Sequence, residues 1–210
     1  MNGRKDKENR LRLINWDSID GNKDIPVIRA ENAVLPSDLL PFNMAMSSRN
    51  YGGGVHFFID DYQFERIWRR PEAYLGRFRK FSCVFSPDFS LYADMPYPMK
   101  LWNVFRSRLL GSWWQSQGIS VIPSVSWAGE ESFEYCFDGL EKGGYVAISS
   151  TGAFLNRRQQ ELWRSGAEEM SRRLQPKAIL LYGSKVNFNS SGADVLIYRN
   201  KILDRLRKIR

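Results

Sequence analysis

The chain has 210 residues, 43% of them hydrophobic and 14% aromatic with seven Trp, enough apolar material to build one folded domain and to exclude a disordered chain. It lacks an apolar run long enough to span a bilayer, and MNGRKDKENRLR has no apolar stretch behind its charges, so a cytoplasmic protein without a membrane partner is expected. The net charge of +8 is concentrated at the ends: five Lys/Arg against two acids in residues 1–12, six against one in 199–210, and 20 against 20 between them.

Those ends frame the predicted organisation: residues 1–20 a basic N-terminal segment, 21–198 a single α/β domain, and 199–210 a basic helix or tail. In chain order, Ile25 to Ile28 reads as a short strand, followed by a turn-rich approach through Tyr51-Gly52-Gly53-Gly54. Val55 to Ile59 is a strand ending in Asp60-Asp61, and Phe64 to Phe81 a helix. Cys83 to Phe85 is a strand that exits into SPDFS, and Tyr97 to Gln117 a long helix closed by Gly118. Ile119 to Val125 is a strand, Glu131 to Leu140 a short helix, and Tyr145 to Ser149 a strand. Arg157 to Leu174 is a helix stopped before Pro176, Ala178 to Tyr182 a strand closed by Gly183, and Val195 to Tyr198 adds one more strand. Alternation of this kind demands a parallel sheet with right-handed crossovers. It predicts an α/β fold, either a small or incomplete (β/α) barrel or an open doubly wound sheet. In both, chemistry gathers on the loops after the strand C-termini.

Those loops carry the candidate site. Asp60, Asp61 and Asp88 leave neighbouring strands, and two carboxylates in one hollow can divide labour as acid and base, or as nucleophile and stabiliser of a cation. Each has a rival role as a helix or turn cap. The long connection after Cys83 to Phe85 offers Ser86, Phe89, Ser90, Tyr92 and Asp94 for substrate binding, with Asn103 and Arg106 at i and i+3 on the following helix. Ser126, Trp127, Ser150 and Thr151 come from later rims, and Trp127 is placed to stack on a base. Arg4, Lys5, Lys7, Lys201, Arg205 and Lys208 are candidate phosphate contacts.

Other chemistries are poorly served. The single histidine excludes paired-His metal sites, and His56, Cys83 and Cys136 match a three-ligand zinc count without the usual close spacings, so no metal and no cofactor is expected. Two cysteines cannot make a disulfide framework. Gly52-Gly53-Gly54 precedes a strand and lacks phosphate-loop geometry. Gly183-Ser184 with Asp194 has Leu196 where a nucleotidyltransferase needs its second metal-binding aspartate.

The segments VHFFIDDYQFERIWRRPEAYL, FSPDFSLYADMPYPMKLWN, GSWWQSQGISVIPSVSW, ESFEYCFDGL, VAISSTG and ILLYGS, together spanning about Pro36 to Ser184, closely resemble domain of unknown function family 4417. The resemblance implies a phage or mobile-element setting, and that family brings no catalytic residues to carry over. More loosely, strand-end aspartates on a presumed barrel look like the layout of tRNA-guanine transglycosylases, whose cysteine-rich zinc motif this chain lacks.

The leading expectation is an enzyme cleaving or exchanging a nucleobase N-glycosidic bond in DNA, less readily in RNA. The alternatives are a non-catalytic DNA-binding accessory of replication or phage–host conflict, and an enzyme of free nucleotides or another small metabolite.

Overall fold

A computed structural model describes residues 8–20, 23–31, 33–151, 153 and 155–200. A short antiparallel pair, β1 (Ile19–Asp20) and β2 (Ile25–Pro26), precedes the main body. The body then runs β3 (Leu39–Pro41), α1 (Phe42–Ala45), β4 (Gly54–His56), α2 (Arg66–Arg69), α3 (Leu75–Phe78), β5 (Cys83–Phe85), α4 (Tyr97–Ser116), β6 (Val121–Ile122), β7 (Tyr145–Ser149), α5 (Arg157–Leu174), β8 (Ala178–Tyr182) and β9 (Asp194–Tyr198).

Strands β3-β4-β5-β6 form one parallel sheet and β7-β8-β9 another. A parallel bridge joins them: Val125 N donates to Ala147 O and Ala147 N to Pro123 O, each at 2.8 Å. Spatial order therefore follows chain order from β3 to β9, with none of the reversal that defines a doubly wound sheet. The strands are α/β units winding in one direction.

Side-chain alternation sorts the core into an inside and an outside. Leu39, Cys83, Phe85, Ile122, Ala147, Leu180 and Tyr182 form one buried cluster, lined also by Phe58, Tyr145 and Tyr198. Their neighbours Val84, Val121, Val146, Ile148, Ile179 and Leu181 belong to the larger cluster, where Leu109, Leu110 and Trp114 of α4 and Ala167 and Met170 of α5 cover them. An inner cluster drawn from β3 through β9 means the array is curled. It is not a closed barrel: among the described residues β9 and β3 share no ladder, and Tyr198 Oη donates to Pro36 O across the gap at 2.8 Å.

Several elements differ from expectation for identifiable reasons. The helix expected over Phe64 to Phe81 is two short ones, because Pro71 lacks an N–H and forces Arg70 to φ −144°. The helix expected over Glu131 to Leu140 is one 3₁₀ segment, Glu130–Glu134, followed by turns. β3 lies in the turn-rich stretch before Gly54, where its three residues, Leu39–Pro41, are too few to show a period. α4 ends as expected, with Gly118 at φ +75° taking the left-handed position after the helix.

Candidate functional site

The C-terminal ends of the seven parallel strands surround a pocket of about 650 Å³. Pro41 follows from β3, and Phe58, Ile59, Asp60 and Gln63 from β4. Asp88, Ser90 and Tyr92 leave β5; Val125, Ser126 and Trp127 leave β6. Ser149, Thr151, Tyr182 and Asn200 complete the ring from β7 to β9, and Trp163 reaches in from α5. Five aromatic side chains in a space of this size suit a flat ring attached to a polar group.

Two of the three expected carboxylates open into it. Asp60 is exposed at the mouth, and although it stands at the start of a 3₁₀ turn its side chain makes no capping bond. Gln63 Nε2 lies 3.4 Å from Asp60 Oδ2, and Asn43 Nδ2 holds Gln63 Oε1 at 2.6 Å, so the Asp60 side of the pocket is braced from α1. Asp88, partly buried, lines the same pocket from the neighbouring strand β5. Loss of water pushes its carboxyl up to about 7, with nearby Asp61 pushing the same way and the Ser126 side chain and Arg108 opposing.

Asp61 has a different task. Its carboxylate accepts from Ser90 N at 3.2 Å and from Ser90 Oγ at 2.8 Å, fixing the loop after β5 in place. Asn103 grips the same residue, donating from Nδ2 to Ser90 O at 2.7 Å. Arg106 is spent on structure too: its NH1 pairs with Glu65 at 2.8 Å, its NH2 donates to Asn103 Oδ1 at 2.7 Å, and its guanidinium lies 3.7 Å from the Phe89 ring centre. Phe89, 2% exposed beneath that guanidinium and against Phe64, is a core residue rather than a platform for a ligand.

Ser86 and Ser150 are buried ties. Ser86 Oγ sits 3.1 Å from Ser107 Oγ and accepts from Ser124 N at 2.9 Å; Ser150 Oγ accepts from Ser184 N at 2.8 Å. Asp94 is exposed and outside the pocket wall, whereas Ser90, Tyr92, Ser126, Trp127 and Thr151 line it. Arg4, Lys5, Lys7, Lys201, Arg205 and Lys208 fall outside the described residues. Among the described residues no three His, Cys, Asp or Glu side chains gather as a metal site. Burial pushes the Cys83 and Cys136 thiols up to about 12, which leaves neither as a nucleophile.

The residue that sequence reasoning missed is Arg108. It is 2% exposed, donating to Ser124 O at 3.0 Å, Cys136 O at 2.7 Å and Asp138 O at 3.1 Å, and burial brings its guanidinium down to about 10. Together with Asp88, Ser107 and Ser124 it walls a small cavity of about 10 Å³. Arg108 is thus the fixed positive charge behind Asp88. Its signal in the sequence is weak, since Arg106 and Arg108 flank one position on the same helix.

The family described as Domain of unknown function (DUF4417) matches residues 18–199, and the chain belongs to it. Over 164 residues the chain is 44% identical to the Gene 1 protein of Mycobacterium phage D29, covering 76% of this chain and 60% of that protein. It is 45% identical over 164 residues to the Gene 1 protein of Mycobacterium phage L5, covering 76% of this chain and 71% of that one. The match thus spans about three-fifths of the D29 protein's length. No solved structure matches the chain. The looser likeness to tRNA-guanine transglycosylases is carried by none of these matches. Among the described residues no helix is long and apolar enough to cross a membrane.

Proposed function

We propose that this chain is a glycosidic-bond enzyme that releases or exchanges a nucleobase at the rim pocket. The single observation carrying the proposal is that Asp60 and Asp88 line one pocket, with Asp88 held near 7 by its surroundings. A carboxyl of that kind can give up a proton and take one back at neutral pH.

In the reaction, the bond from the sugar carbon C1′ to the base nitrogen breaks, and its electron pair leaves with the base. Asp88 protonates the departing base. The positive charge left on the sugar faces the Asp60 carboxylate, which stabilises it or captures it as an ester. Water, or an incoming base in an exchange, then adds at C1′ and returns a proton to Asp88. Tyr92, Trp127, Phe58 and Tyr182 supply faces on which the base can rest. In a duplex the nucleotide must swing out of the stack to reach the pocket.

The test is mass spectrometry of free bases released from DNA, RNA and nucleosides by the purified chain. Release is expected from the wild type and to fall at least about 100-fold in Asp88→Asn and in Asp60→Asn. Unaltered release in both variants contradicts the proposal.

A further inference from the structure

Although the central 186 residues are neutral by count, their charge is segregated. Residues 65–80, the crossover from β4 to β5, hold Arg66, Arg69, Arg70, Arg77, Arg79 and Lys80 against Glu65 and Glu72. Residues 130–141, in the crossover from β6 to β7, hold Glu130, Glu131, Glu134, Asp138 and Glu141 and no Lys or Arg. The two acids on the basic side are already engaged, Glu65 by Arg106 and Glu72 by Arg12.

Arg66 and Arg69 stand at i and i+3 on α2, and Arg70 follows where the chain leaves the helix; all three are exposed while Ile67 and Trp68 between them are buried. Among the described residues neither Arg69 nor Arg70 has an ion-pair partner, and Arg66 rests its guanidinium 5.0 Å over the Phe42 ring. The row follows closely in the chain on residues of the pocket: Phe42 comes directly after the pocket residue Pro41, and Arg66 three residues after the pocket residue Gln63. The N-terminal segment is fastened to the same face, Arg10 Nε donating to Trp68 O at 2.7 Å and its NH2 to Arg69 O, with Leu13 buried in the core.

We infer that the exposed row Arg66, Arg69 and Arg70 is a docking surface for the phosphodiester backbone of a nucleic acid strand, running from the rim pocket toward the anchored N-terminal segment. The inference deepens the reading above by making a polymer, rather than a free nucleotide, the substrate. Guanidiniums suit the role because they bind phosphate through paired N–H groups.

The test reads binding rather than base release, so the two proposals can fail separately. Anisotropy of a labelled single-stranded DNA, an RNA of the same sequence and a duplex is measured against salt, using the full chain. Replacing Arg66, Arg69 and Arg70 together by Gln is expected to weaken binding about tenfold or more. It should also lower the salt slope by about 2 for a single strand. A control with the same loss of charge elsewhere, Lys142→Gln with Arg157→Gln and Arg172→Gln, should keep most of the affinity. Equal losses in both variants would assign the effect to net charge and overturn the inference. So would a wild type that binds no nucleic acid, including one that binds only vesicles of anionic lipid.

Discussion

Asp88 is where the site's chemistry and its energetics meet. Its carboxyl sits near 7 in the folded chain against an ordinary value of 3.8. Folding therefore favours the protonated form, and the sign follows. The Asp88 contribution to stability is greatest below about pH 4, where both states are protonated, and declines as pH rises from there through about 7 by up to about 4 kcal/mol. Asp88→Asn should remove that decline. Urea unfolding at pH 5 and pH 8 is expected to show the variant more stable than wild type at pH 8, while base release is lost. A catalytic group that weakens its own fold behaves in this way. Ser126→Ala, which takes away a group holding the Asp88 carboxyl down, should move the alkaline limb of the pH–rate profile upward.

The aspartates were legible because each follows an apolar strand, but adjacent side chains on extended chain point apart. Asp60 and Asp61 therefore could not both face the hollow, and which one did depended on where β4 ended. The structure ends it at His56, earlier than the run of apolar residues suggests. Arg106 and Arg108 posed the same difficulty on a helix, where two positions amount to more than half a turn.

At the scale of elements, the loop from Ser86 to Pro96 is held by Asp61 and Asn103 at Ser90. Asn103→Ala removes one of these holds beside Asp88 and Tyr92. It is expected to reduce kcat more than it reduces the unfolding free energy, because the loop positions reacting groups. A second contact sets the position of Trp127 in the pocket: a Cβ on Gly166 of α5 would lie 2.2 Å from Trp127 Cε2. Gly166→Ala must displace the indole, at about 1–3 kcal/mol of overpacking, and should weaken substrate binding; calorimetry and KM together check this. The long helices α4 and α5 could be read from their apolar spacing and terminal signals. The two pieces α2 and α3 could not, because apolar residues on both sides of Pro71 keep helical spacing across a break that the proline imposes.

For the whole molecule, the sequence indicated parallel α/β units but left open whether they wind one way or two. Strand order decides that, and strand order is set by long-range packing that no local pattern encodes. Its consequence is functional: one-way winding brings seven strand ends to a single rim, so Pro41 and Asn200, far apart in the chain, line the same pocket. The ring is open between β3 and β9, where Tyr198 Oη bonds Pro36 O. Tyr198→Phe should cost about 1 kcal/mol in denaturant unfolding.

The proposed chemistry depends most on Asp88 carrying an exchangeable proton near neutrality within that rim. Carboxyl-carbon NMR titration of the full chain, with the Asp88 resonance assigned by its disappearance in Asp88→Asn, reads this without any substrate. A midpoint at about 7 is the predicted result. A midpoint near the ordinary aspartate value of about 4 would leave the group ionised throughout the working range and contradict its role as proton donor.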